Sequence, residues 1–139
     1  MNRVSPDSSK PDLTSECLVA KLPDRRDFLR LRSGKRYSTS NFTLQAKPTA
    51  EHLVDSERSR HACRVGYTVT TKVGNAVVRN RIRRRLKSAV SEVFPVKGKP
   101  SHDYALIARR KILSQDFAQL KLDLQQALDR IHSKRAKGV

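Results

Sequence analysis

The chain has 139 residues, 37% of them hydrophobic and 31% charged, which suffices for one compact domain and leaves little for a second. Against 13 Asp and Glu stand 30 Lys and Arg, a formal net charge of +17 that repels itself in a compact fold unless a polyanion neutralises it, so nucleic acid is the leading partner. No stretch approaches the roughly 20 apolar residues of a spanning helix, and the start MNRVSPDSSKPDL lacks the apolar region of a signal peptide, so no membrane role and a cytoplasmic location are expected.

Residues 1–20 are rich in Ser, Pro and Asp and show neither helical nor strand periodicity, which predicts a disordered N-terminal tail. Pro23 and Asp24 suit a helix start, and Phe28, Leu29 and Leu31 follow before Ser33 and Gly34 end a short first helix. The alternation Asn41-Phe42-Thr43-Leu44-Gln45 makes a first strand, with Phe42 and Leu44 toward a core and Thr43 and Gln45 on the other face. From Lys47 to His61 no period is sustained, so a long solvated loop is expected.

A second strand runs from Arg64 to Thr71, placing Val65, Tyr67 and Val69 on one face and the small or polar Gly66, Thr68 and Thr70 on the other. That polar face is either solvated or the floor of a groove. Val73-Gly74-Asn75 breaks the strand, and Val78, Ile82, Leu86, Ala89, Val90 and Val93 then recur at helical spacing, predicting an amphipathic helix from Ala76 to Phe94 that ends before Pro95. A buried third strand spans His102 to Arg109, and Phe117, Leu120, Leu124, Leu128 and Ile131 mark a final helix. The order helix, strand, strand, helix, strand, helix fits a two-layer α/β (α+β) sandwich over residues 21–133, followed by a basic C-terminal tail at 134–139.

Charge is segregated along this frame. Between Arg58 and Ser91 there is no acidic residue, while Arg58, Arg60, Arg64, Lys72, Arg79, Arg81, Arg83, Arg84, Arg85 and Lys87 are basic. At about 100° per residue, Asn80, Arg81, Arg84 and Lys87 point away from the apolar stripe, with Arg79 and Arg83 near one edge and Arg85 near the other. Like charges at i, i+4 cost a few tenths of a kcal/mol each, so this stacking serves binding rather than folding. Arginine grips phosphate oxygens bidentately and stacks on bases, which favours structured nucleic acid over a diffuse lipid surface.

No catalytic site is apparent. Phosphodiester hydrolysis needs a carboxylate cluster for metal ions or a histidine pair, and the acids here are isolated. His52, His61, His102 and His132 lack metal-ligand spacing and read as surface residues; Cys17 and Cys63 lack paired-thiol spacing and read as reduced thiols.

The segment KVGNAVVRNRIRRRLKSAV, Lys72 to Val90, resembles the signature of the bacterial ribonuclease P protein family, centred on Arg79-Asn80-Arg81. The resemblance extends to Asp27-Phe28, Arg64-Val65-Gly66, Asp103-Tyr104 and Ile107-Ala108-Arg109, and covers about residues 21 to 133. It implies a mixed sheet with a left-handed β-α-β crossover, against the usual right-handed rule. It also implies a protein subunit that binds a catalytic RNA and the 5′ leader of precursor tRNA, as one protein monomer with one RNA, with Mg2+ held mainly by the RNA and cleavage carried out by the RNA. Lys72, Arg79, Asn80, Arg81, Arg83, Arg84 and Lys87 then match the surface facing the RNA subunit, and Phe28, Arg32, Thr43, Gln45, Thr68 and Thr70 the leader cleft. Some family members carry aromatics where this chain has Arg32 and Gln45, and a second lysine where it has Thr71. The resemblance stands against two rivals, a ribosomal or general structural RNA-binding protein and a stand-alone nuclease.

Overall fold

The computed structural model describes residues 17–133. Five strands form one mixed sheet in the order β1-β4-β5-β3-β2, where β1 is Leu18–Lys21, β2 Lys35–Ser38, β3 Phe42–Pro48, β4 Ala62–Thr68 and β5 His102–Ala108. The helices are α1 Arg25–Arg30, α2 Glu57–Arg60, α3 Ala76–Lys97 and α4 Phe117–Ile131. β4 runs parallel to both β1 and β5, whereas β3 is antiparallel to β5 and β2. The β4-α3-β5 unit therefore joins two neighbouring parallel strands, as expected. Among the described residues no helix is long and apolar enough to cross a membrane.

One face of the sheet carries the core. Phe42, Leu44, Ala46, Val65, Tyr104 and Leu106 meet Ile82, Leu86, Ala89, Val90, Val93 and Phe94 of α3 and Leu120, Leu124, Leu128 and Ile131 of α4 in one continuous buried cluster. The apolar stripes read from the 3.6 and 2 periodicities are the stripes that are buried. Asn75 starts α3 by accepting a hydrogen bond from the Val78 amide on its side-chain oxygen (3.0 Å). Gly74 before it has φ 152°, a conformation a side chain resists, which lets the chain turn sharply from β4 into the helix.

Several expectations need correction. Residues 1–16 and the 134–139 tail lie outside the described residues, but within the predicted disordered tail Cys17 is buried and Leu18–Lys21 is a strand. All of β1 is exposed, so no apolar alternation betrays it; the backbone of β4 holds it, with Leu18 N–H donating to His61 C=O (2.8 Å) and Leu22 N–H to Val65 C=O (3.1 Å). β2 is equally short and was not legible. The expected loop from Lys47 to His61 contains the end of β3, a 3-10 turn at Glu51–Leu53 and α2, which Ser56 caps by accepting from the Ser59 amide. The strand from Arg64 ends at Thr68, and Thr71–Val73 is a 3-10 turn.

α3 runs through Pro95 to Lys97 rather than stopping before it. A proline in the last turn forfeits one backbone bond, to the carbonyl of exposed Ser91, while Gly98 N–H still closes the helix on Phe94 C=O (2.7 Å). Cys17 N–H then takes the Pro95 carbonyl (3.0 Å). Cys17 and Cys63 are both buried, with sulfurs 3.2 Å apart in a hydrogen bond rather than a disulfide. The hydrogen bond to Cys17, together with burial, pushes the Cys63 thiol up, so it stays protonated.

His102 and His132, expected at the surface, instead meet at 5.2 Å between ring centroids. Tyr104 donates its hydroxyl proton to His132 Nε2 (2.6 Å) while accepting from the Lys99 amide (2.8 Å). Burial, then the nearby His102, Lys99 and Lys35, push His132 down to about 4, so it stays neutral and can accept this bond. The ordinary value in the unfolded chain is about 6.5. A depressed folded value means that this contribution is complete above pH 6.5 and fades as pH falls toward 4. Melting curves across that window are expected to show a stability loss that His132→Gln removes; an identical pH profile in the two proteins would contradict it.

Candidate RNA interface

Opposite the core, the second sheet face is covered only in part, by α1 and the 3-10 turn Leu31–Ser33. Leu22, Leu31 and Ala105 form a small separate cluster there, with Phe28 packed against it. α1 has six residues, none fully buried, too few to be stable alone. Its position is set by a carboxylate. Asp103 of β5 is wholly buried and accepts two bonds from Arg64 of β4, Nε to Oδ1 at 2.9 Å and NH2 to Oδ2 at 2.7 Å. Thr49 adds a hydroxyl (2.8 Å) and Arg30 of α1 a guanidinium (3.1 Å), which also donates to the Pro48 carbonyl (2.8 Å). The same Arg64 NH2 reaches Asp27 of α1 (3.1 Å).

Burial alone would raise the Asp103 carboxyl; Arg64, Thr49 and Arg30 overcome that and hold it below the ordinary carboxylate range. The Arg64 guanidinium is correspondingly raised, first by its bond to Asp103. Two ion pairs thus clamp α1 to the sheet. The second clamp is steric: a Cβ on Gly66 would lie 2.3 Å from Phe28 Cζ, so the ring rests where only glycine leaves room.

Between α1 and the sheet lies an open cleft of about 830 Å³. Arg25, Leu29 and Arg32 line it from the helical side, Arg36, Gln45, Thr68 and Ile107 from the sheet, and Arg83 from α3. A second groove of about 500 Å³, beside β1, shares Phe28, Tyr67 and Arg83 with it and adds Lys87. Of the predicted leader residues, Phe28, Arg32, Gln45 and Thr68 are brought together in the cleft. Thr43 and Thr70 stand apart. Thr43 lies on the same face but is buried, engaged with Ser38 (2.9 Å) and Arg109 (3.4 Å), and Thr70 is exposed beyond the end of β4.

The RNA-facing set gathers along one side of α3. Asn80, Arg81, Arg84 and Lys87 are exposed, as is Lys72 in the turn before the helix. Arg79 is half-buried and donates to the Gly74 carbonyl (3.2 Å). Arg83 leans from this surface toward the cleft, with Asn80 as a weak partner (3.5 Å), and the Lys87 ammonium sits 5.9 Å from the centre of the Tyr67 ring. Arg85, on the opposite edge, braces the fold instead. Its Nε donates to the Ile112 carbonyl (3.0 Å), its NH2 to the Gln115 carbonyl, and its guanidinium lies over Phe117.

Sequence reasoning missed Arg25, Leu29, Arg36 and Ile107 as cleft residues. Arg25, Leu29 and Arg32 recur at i, i+4, i+7, a signal present in the sequence, whereas Arg36 needed β2 to be recognised.

A protein-family model described as Ribonuclease P matches residues 19–132. The ribonuclease P protein component of Paramagnetospirillum magneticum is 39% identical over 112 residues, covering 80% of this chain and 81% of its own. That of Brucella suis is 34% identical over 126 residues, covering 91% and 89%. Among solved structures, the RNase P protein of Thermotoga maritima is 25% identical and superposes with a TM-score of 0.62 over 81% of this chain and 98% of that one.

Two kinds of arginine follow from this geometry. Asp103→Ala leaves Arg64 and Arg30 without their carboxylate and is expected to cost about 3–5 kcal/mol of stability in urea titration; a loss below about 1 kcal/mol would show that the clamp is not structural. Arg85→Ala is expected to destabilise as well, whereas Arg84→Glu and Asn80→Ala leave the melting temperature within a few degrees and weaken RNA binding. Unchanged RNA affinity in folded Arg84→Glu would contradict the assignment.

Proposed function

Since the chain belongs to the ribonuclease P protein family, we propose that its two surfaces divide the work, α3 gripping the catalytic RNA and the cleft holding the single-stranded 5′ leader of precursor tRNA. The chain is the protein subunit of the ribonuclease P endoribonuclease, which removes that leader to make the mature tRNA 5′ end, and the subunit is not the catalyst. The rival readings as a ribosomal protein or a stand-alone nuclease fall with the family assignment.

The observation that carries the proposal is the placement of exposed Asn80, Arg81, Arg84 and Lys87 on a face of α3 that no part of the described chain covers, with exposed Lys72 in the turn before it, next to a cleft open to a strand of RNA. Guanidinium groups along one face neutralise phosphates and fix register without reading sequence. The cleft suits an extended strand, with polar Gln45 and Thr68 on its floor and Phe28 at its waist. On this reading Arg79 and Arg83 support the RNA-facing surface from its edges.

Among the described residues no three His, Cys, Asp or Glu side chains converge in a way that would hold a metal ion. On this reading magnesium is held mainly by the RNA, whose phosphates the protein's cations help to bring together. One protein monomer acts with one RNA, in the cytoplasm.

The direct test is cleavage of precursor tRNA by the protein alone, by the RNA alone and by both, at physiological salt. Processing is expected from the RNA-containing mixtures, faster with the protein, and none from the protein alone; cleavage by protein freed of RNA would overturn the division of labour. Affinity for the catalytic RNA should fall on a log-log salt plot by about 0.7–0.9 per phosphate contacted, and a flat dependence would contradict phosphate contact.

A further inference from the structure

We propose that this cleft holds its RNA strand by the phosphates and is nearly indifferent to the bases, because its walls are arginine where stacking would call for aromatic rings. The inference rests on the leader reading above and specifies what the cleft recognises.

Arg25 and Arg32 stand on the helical wall, Arg36 on the facing β2 edge and Arg83 on the α3 side, so the guanidinium groups surround the cleft from three elements and the turn after α1. Arg25, Arg32 and Arg36 are exposed, and none of them pairs with a carboxylate among the described residues. Among the described residues no acidic one lines the cleft. Asp27 is bound by Arg64, and buried Asp103 by Arg64 and Arg30, so neither is available to the cleft arginines. Unpaired cations around a hollow without counter-charge repel one another, and a polyanion laid between them removes that repulsion.

Base stacking has little left to work with. Among the described residues two rings reach the cleft, Phe28 and Tyr67, and both are half-buried. Phe28 rests on the Gly66 backbone and packs against Leu22, Leu31 and Ala105, and Tyr67 packs against the main core with Lys87 over its ring. Their edges can touch a base, but neither stands free as a platform on which successive bases stack. Gln45, the one amide on the floor, lies 4% exposed between Arg36 and Ala105 in the sheet register, too sunken to read a base edge. Arg36 and Arg25 are the residues this assigns to leader binding beyond those predicted.

The experiment uses holoenzyme reconstituted from the full chain and the catalytic RNA, and compares its affinity for four substrates at fixed salt. These are precursor tRNA, the same precursor with every leader base exchanged, the precursor with uncharged methylphosphonate linkages in the leader, and mature tRNA. The expected result is that the leader strengthens binding, that base exchange changes this gain by less than about threefold, and that neutral linkages abolish most of it. A gain that survives neutral linkages but falls tenfold or more on base exchange would overturn the proposal while leaving the leader reading intact. Equal affinity for precursor and mature tRNA would overturn the leader reading itself. As a second arm, the triple variant Arg25→Gln, Arg32→Gln, Arg36→Gln should flatten the salt slope for precursor tRNA by about 2, at roughly 0.7 per single-stranded phosphate, with an unchanged melting temperature and unchanged affinity for the catalytic RNA. An unchanged slope in that folded variant would overturn the proposal.

Discussion

The cleft exists because one buried carboxylate is satisfied by four hydrogen bonds from three directions. Asp103 lies in the central strand of the sheet, and its partners come from β4, from the segment after β3 and from α1. A six-residue helix with no fully buried side chain has little stability of its own, and what holds it is a pair of ion pairs, from its Arg30 to Asp103 of the sheet and from Arg64 of the sheet to its Asp27. An isolated buried charge costs several kcal/mol, so the network is favourable only when complete, and completing it fixes where α1 stands. Phe28 on Gly66 then sets how far above the sheet the helix rides.

That arrangement explains how one small domain can present two cationic surfaces without collapsing either into the core. All the large apolar stripes are spent on one sheet face, beneath α3 and α4. The other face is left polar and only partly roofed, which would be wasteful in a protein acting alone but suits an extended strand entering from solvent. Arg83 stands at the join, lining both grooves while belonging to the RNA-facing helix, so a leader in the cleft lies beside the RNA that α3 binds. The arginines themselves divide by environment. Arg30, Arg64 and Arg85 have carboxylate or carbonyl partners and act as structure; Arg25, Arg32, Arg36, Arg81 and Arg84 project to solvent.

What was legible in the sequence was whatever has a period long enough to read. α3, α4 and the core alternation of Phe42 and Leu44 were correct because burial imposes 3.6 and 2 spacings over several turns or residues. β1 and β2 were lost because they are edge strands of four residues whose side chains face mostly water, so only their backbones carry the information. The Asp103 network was present only as scattered letters, Asp27, Arg64 and Asp103, that carry the family resemblance; nothing in linear spacing says that they meet. The same holds for Cys17 with Cys63 and for His102 with His132, pairs far apart in sequence that the fold brings together. Part of the cleft was legible: Phe28, Arg32, Gln45 and Thr68 follow from the first helix and the two recognised strands, whereas Arg36 stands on β2, which was not recognised, and Arg25, Leu29 and Ile107 sit on recognised elements but were not read as cleft-facing.

On the proposed division of labour, two separate faces of this domain meet two different RNAs. Single cysteines placed at exposed Ser88 on α3 and at Leu29 in the cleft, with Cys17 and Cys63 left in their buried pair, would each carry a tethered iron chelate that cuts nearby RNA by hydroxyl radicals in the assembled holoenzyme bound to precursor tRNA. The Ser88 probe is expected to cut the catalytic RNA and spare the leader, whereas the Leu29 probe cuts the leader within a few nucleotides. Leader cuts from Ser88, or none from Leu29, would contradict the division.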